Sequence, residues 1–126
     1  MKEKVKFYRC PVCGNIIEVV EGDVKRVKCC GRDPEELIAN TVDAAVEKHV
    51  PVYKVEGNEI IVQVGDVIHP MEEKHYIMFI VLVTEDRVIR VDLNPGDEPI
   101  VRLPYVENSE IYEYCNLHGL WKNIVK

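Results

Sequence analysis

No apolar run in this chain approaches the about 20 residues a membrane-spanning helix needs, and no secretory stretch follows its charged start, Met1-Lys2-Glu3-Lys4-Val5-Lys6. Both absences point to a chain that stays in the cytoplasm. Positive charge is in short supply: 16 Lys and Arg against 22 Asp and Glu give a net charge of −6, which argues against a nucleic-acid partner. Internal repeats and low-complexity tracts are absent. Histidine is scarce, with four residues, and cysteine is odd in number, with five. In a reducing compartment an odd cysteine set is better read as metal ligands than as disulfide bridges.

What is present is divided unevenly. Four cysteines fall in the first quarter, as Cys10-Pro11-Val12-Cys13-Gly14 and Cys29-Cys30-Gly31. All four histidines and the last cysteine follow, in Glu47-Lys48-His49-Val50-Pro51, His69-Pro70-Met71-Glu72-Glu73-Lys74-His75 and Cys115-Asn116-Leu117-His118. The division predicts a cysteine-rich head over 1–37 and a histidine-bearing body over 38–126. A head below about 40 residues is too short for a core of its own, so bound metal would be its main source of stability. The 126-residue chain is 47% hydrophobic and 30% charged, a globular composition that lets the body build a real core.

Residues 15–20 and 24–29, flanking Glu21-Gly22-Asp23, predict a hairpin whose open end gathers the cysteine pairs. Asp33-Pro34-Glu35-Glu36-Leu37 begins like a helical turn, with Asp as cap and Pro at the first position. From 50 onward, Val/Ile-rich segments recur over 50–55, 59–64, 75–83, 87–93, 99–103 and 109–114. Six or seven short strands with polar turns predict an antiparallel sandwich. The body has one helical candidate, the short segment 41–48.

In the head, Cys10-x-x-Cys13-Gly14 is a knuckle in which two thiolates reach one ion while the glycine lets backbone N–H groups approach sulfur. Adjacent α-carbons lie about 3.8 Å apart, below the usual disulfide range, so Cys29 and Cys30 are poorly placed to bridge each other and better explained by a shared metal. Four thiolates accommodate iron or zinc, and spacing alone does not choose. In the body, a single histidine is more often a satisfied core or surface residue than a ligand. Four nitrogens plus one thiolate form a set too large for tetrahedral zinc and suited to five-coordinate, redox-active iron.

The order and content of these motifs, together with Asn40-Thr41-Val42-Asp43-Ala44-Ala45, resemble the superoxide reductases along the whole chain. The cysteine-rich head is similar to the small module of the two-centre members, the desulfoferrodoxins. The resemblance implies a mainly β protein: a desulforedoxin-like N-terminal metal-binding domain followed by an immunoglobulin-like antiparallel β-sandwich, with 41–48 as a loop beside the metal. It implies two iron ions per chain. Cys10, Cys13, Cys29 and Cys30 would hold the first, in a structural role with electron relay as a secondary one, and zinc stays an alternative there. His49, His69, His75 and His118 would be equatorial ligands of the second, with Cys115 axial.

The same resemblance implies that Glu47 takes the sixth position when that iron is ferric and that Lys48 assists the incoming anion. A Glu-Lys pair is ordinarily a solvated loop feature. Yet at about 6 Å, with an effective dielectric near 20, one charge contributes roughly 3 kcal/mol, while charges beyond about 10 Å are screened. Lys48 can therefore outweigh a diffuse surplus of carboxylates, and Lys74, beside His75, is a second candidate. The implied reaction is one-electron, two-proton reduction of superoxide to hydrogen peroxide without release of dioxygen. Rubredoxin or a similar donor would restore the ferrous state, and the chain would act as a homodimer. Two rival readings are a non-catalytic iron electron carrier and a zinc-stabilised binding module.

Overall fold

Val/Ile-rich segments bounded by polar turns become strands between residues 51 and 104. The computed structural model describes residues 5–42 and 44–126, and among these it contains ten strands and one helical turn, α1 (Val46–His49). Asp43 of the 40–45 motif and the start, Met1 to Lys4, lie outside the described residues. The chain divides after Ile38 into two compact units. No helix among the described residues is long and apolar enough to cross a membrane.

In the head, β1 (Phe7–Arg9) is the central strand, paired antiparallel with β2 (Ile16–Glu18) on one side and β3 (Glu35–Glu36) on the other. The cysteine knuckle is itself the hairpin turn. The Cys10 N–H donates to the Asn15 carbonyl at 2.9 Å, the Gly14 N–H donates to the Cys10 carbonyl at 3.1 Å, and Gly14 sits at φ +78°. The hairpin expected between 15–20 and 24–29 does not form. Its valines, Val24 and Val27, stand three apart rather than two, and Asp23 Oδ1 captures the Lys25 N–H at 3.0 Å, favouring local turns. The helical turn expected at Asp33-Pro34-Glu35 is also replaced, by β3. There the free edge of β1 offers Tyr8 and Arg9 as partners for Glu36 and Glu35, and Pro34 precedes the paired residues, where its missing N–H costs nothing.

The body is a sandwich of two antiparallel sheets. One has the order β4 (Pro51–Glu56), β5 (Glu59–Val64), β8 (Ile100–Pro104); the other has the order β10 (Gly119–Ile124), β9 (Glu110–Cys115), β6 (Ile77–Val83), β7 (Val88–Asp92). Seven strands split three and four in this way form the expected immunoglobulin-like architecture. Its core gathers Ile60, Val62 and Val64 of β5, Ile77, Ile80 and Leu82 of β6, Leu103, Ile111, Cys115 and Val125. Each fully buried aliphatic side chain there contributes about 1.5–3 kcal/mol. Strand β10 falls beyond the last segment expected from sequence. The helical candidate 41–48, which the resemblance implies is a loop, contains only a four-residue helical turn at Val46–His49, because the β-extended Ala45 (ψ 106°) stops it on one side and the β-extended Val50, leading into β4, on the other.

The antiparallel weave brings the start of β4, the end of β5, the start of β6, the end of β9 and the start of β10 to one end of the sandwich. Every histidine, and Cys115, lies at those strand ends or in the loops joining them.

Candidate metal centres

His49 ends α1, His69 lies in the loop between β5 and β6, His75 precedes β6, Cys115 ends β9, and His118 sits in the turn to β10. One donor atom from each of the five lies within 4.8 Å of all the others. Adjacent rings stand nearly perpendicular: 75° for His49 and His69, 79° for His69 and His75, 74° for His75 and His118, and 83° for His118 and His49. Centroid separations around this ring of four are 4.6–5.0 Å, while His49 and His75 stand 6.3 Å apart, as opposite corners of a square do. Cys115 Sγ lies 3.4 Å from His69 Nε2 and 3.8 Å from His118 Nδ1. Those two residues are diagonal, which sets the sulfur over the square rather than along an edge.

Hydrogen bonds behind the rings fix their tautomers. His49 Nδ1–H donates to the Ala45 carbonyl at 2.8 Å, and His69 Nδ1–H donates to the Pro70 carbonyl at 2.6 Å. A carbonyl only accepts, so both rings turn an unprotonated Nε2 inward. The two Nε2 atoms are 3.2 Å apart, and His49 Nε2 is 3.0 Å from His118 Nδ1. His75 Nε2 is buried with no hydrogen-bond partner among the described residues. Burial pushes His69 down to about 4 and lowers His49 and His75, with the neighbouring rings adding to the effect. The facing Nε2 lone pairs of His49 and His69 have no proton between them and repel until a cation enters, so the donor set fits a bound metal ion.

Burial raises the Cys115 thiol, while the backbone N–H groups of Leu117 and His118 oppose it. A metal must therefore displace the thiol proton as it binds. Glu113 shares an inward face of β9 with Cys115 and is fully buried, with neither carboxylate oxygen hydrogen-bonded among the described residues; burial pushes its carboxyl far above the usual range. Trp121 lies behind the centre. Its ring stacks on His49 at 5.0 Å, and its Nε1–H donates to the His118 carbonyl at 3.1 Å.

Glu47 and Lys48 are exposed on α1 beside this centre. The Glu47 charge acts on His49 and that of Lys48 on His75. Their backbone is held: the Val67 N–H donates to the Glu47 carbonyl at 2.9 Å, and a Cβ at Gly65 (φ +79°) would meet the Lys48 carbonyl oxygen at 2.6 Å. Only glycine fits there, so the side chains of Glu47 and Lys48 extend from a fixed turn rather than a free loop. Lys74 is exposed, and its carbonyl, not its ammonium, takes a hydrogen bond from the centre's surroundings.

In the head, Cys10, Cys13, Cys29 and Cys30 bring four sulfurs within 4.8 Å of one another, all as free cysteines. The second pair rides a tight turn, Cys29 to Arg32, with Cys30 at φ 52° and Gly31 at φ 71°. The Cys13 N–H lies 3.5 Å from Cys10 Sγ, and Asn15 Nδ2 lies 3.7 Å from Cys29 Sγ. That Cys13 N–H leads the causes that lower Cys10 to about 6, whereas hydrogen bonding to Cys10 and Cys13 pushes Cys29 up to about 12. A cluster that ionises once and then resists further charge suits a cation that neutralises all four thiolates.

Asn116, Trp121, Glu113 and Gly65 went unnoticed in the sequence. Glu113 had left a signal, since its two-residue spacing from Cys115 places both on one face of a strand.

Comparison with known proteins agrees along the chain. The family model described as Desulfoferrodoxin matches residues 41–124, and that of the Desulfoferrodoxin N-terminal domain matches residues 2–37. A desulfoferrodoxin of Syntrophotalea carbinolica is 48% identical over 98% of both chains, and one of Desulfarculus baarsii is 46% identical over 97% of this chain and 98% of its own. The crystal structure of the superoxide reductase from Treponema pallidum superposes with a TM-score of 0.75 at 32% identity, covering 96% of this chain and 99% of that one.

Proposed function

Because the chain belongs to the desulfoferrodoxin family, we propose that it is a superoxide reductase, working at the centre formed by His49, His69, His75, His118 and Cys115. The observation that carries this reading is the square of four imidazole rings, with the Nε2 atoms of His49 and His69 unprotonated and a sulfur over it, a donor set suited to iron. Ferrous iron held there would supply the single electron that, with two protons, converts superoxide to hydrogen peroxide.

The chain's own residues do the rest. Lys48 places a positive charge on the exposed side of the centre, where it attracts the anion against the net charge of −6 and orders the water that delivers protons. Glu47, one residue earlier on the same turn, would hold the ion in its ferric state and exclude further anions. Cys115 is buried, so its sulfur is shielded from water and from oxidation by product. Cys10, Cys13, Cys29 and Cys30 would hold a second iron that mainly stabilises the head. An external donor such as rubredoxin would return the catalytic iron to the ferrous state; family membership supports this step.

Metal analysis and anion titration test the proposal. Two irons per chain and an azide- or cyanide-sensitive spectrum of the body centre are expected. Two zinc ions, or an iron spectrum indifferent to both anions, would contradict it, because an electron carrier needs no exchangeable position.

A further inference from the structure

Each ligand histidine has to be held in place, and the four are held differently. His49 and His69 are fixed through their own rings by the Ala45 and Pro70 carbonyls, and the backbone of His118 is fixed by Trp121. The ring of His75 has no hydrogen bond among the described residues, and its Nε2 is buried. Its position is therefore set by its backbone.

That backbone is gripped at both ends. On one side His75 exchanges two hydrogen bonds with Glu72: the Glu72 N–H donates at 2.9 Å and the His75 N–H at 3.0 Å. On the other side lies Asn116, between the ligands Cys115 and His118. The Tyr76 N–H donates to Asn116 Oδ1 at 2.9 Å, Asn116 Nδ2–H donates to the Lys74 carbonyl at 3.0 Å, and the Asn116 N–H donates to the Tyr76 carbonyl at 3.2 Å. One side chain thus clamps the peptide groups before and after His75.

The clamp is specific to an amide. Oδ1 must accept while Nδ2 donates, so aspartate keeps one contact and leucine neither. It also sits beside a register shift between Ile77 and Phe79, where the ladder of β6 and β9 is irregular and regular pairing alone does not fix residues 74–76. We propose that Asn116 is the positioning residue for His75, tying the ligands of the β9–β10 turn to a ligand whose place is set by its backbone. This rests on His75 being a metal ligand, as the proposed function has it.

The test uses the full chain loaded with iron at both centres, following release of ferrous iron to a chelator and the ferric paramagnetic resonance spectrum. The four-thiolate spectrum of the head serves as an internal control. Asn116→Leu should release body iron about 10–100-fold faster and alter the symmetry of its ferric signal, leaving the head spectrum unchanged. Asn116→Asp should fall between leucine and wild type, and it decides the matter if the leucine variant does not fold. In a His75→Ala background Asn116→Leu should add nothing, since a residue acting through His75 has no further effect once that ring is gone. Release and spectra equal to wild type, or full additivity with His75→Ala, would overturn the assignment and leave the proposed function intact. A wild-type chain that holds iron only in the head would overturn both.

Discussion

The head and the body solve the same problem, gathering soft and borderline ligands around an ion, in opposite ways. The head's donors come in two local pairs on tight turns, Cys10 with Cys13 and Cys29 with Cys30, supported by three strands of two or three residues each. The body's donors come from five places between residues 49 and 118 and meet only when two sheets have formed around their own aliphatic core. In the head a bound ion would organise the chain. In the body the chain organises the ion, with backbone carbonyls, a stacked indole and a clamping amide holding the ligands in advance. The second arrangement fixes donor orientation before binding, as reactive metal sites require.

The contrast is broken most directly by removing one sulfur from each centre. Cys115→Ala should reduce superoxide consumption to background while the head spectrum persists, and Cys13→Ser should strip the head of iron with consumption largely retained. Stopped-flow kinetics and metal content read both; loss of activity in Cys13→Ser would show that the head is not merely structural. Chelation of all metal is next in size. Hydrogen exchange should show head amides losing protection while β5, β6 and β9 keep theirs, since only the body has a core independent of metal.

Lys48→Ile should slow the bimolecular reaction with superoxide about tenfold and flatten its dependence on salt, since a local charge does the steering. An unchanged rate would remove Lys48 from the mechanism. Acidity sharpens the comparison further. Burial lowers the folded-state pKa of His49, His69 and His75, so below the unfolded value near 6.5 the unfolded chain binds more protons than the folded one. The metal-free body should then be most stable above that pH and lose stability as pH falls towards about 4, the folded value of His69, as urea midpoints would show. The smallest expected effect is that of Glu47→Ala: a changed ferric spectrum with a superoxide rate within about twofold of wild type, because only bound-state closure is lost.

Much of this contrast was legible in the sequence because the donors are rare. With four histidines and five cysteines in 126 residues, each stands out, and all nine gather into the two clusters. The β-rich body was legible too, from Val/Ile segments separated by Glu56-Gly57-Asn58, Thr84-Glu85-Asp86 and Asn94-Pro95-Gly96-Asp97. Strand β10 was not: Leu120-Trp121-Lys122-Asn123 lacks alternation, and its pairing is imposed by β9 across the His118 turn. The head's strands were misplaced because three residues carry too little pattern, and tertiary pairing with β1 overrides the local preference of Asp33-Pro34. Asn116 and Gly65 were invisible for another reason. Their significance lies in the backbone groups they meet, Lys74 and Tyr76 for one and Lys48 for the other, and no spacing rule records such meetings.

Pulse radiolysis of the fully reduced protein, with product analysis, decides whether the body centre reduces superoxide. One hydrogen peroxide for each superoxide consumed, one oxidised body iron and no dioxygen are expected. Dioxygen released in proportion to peroxide, or superoxide surviving beside ferrous protein, would contradict that function.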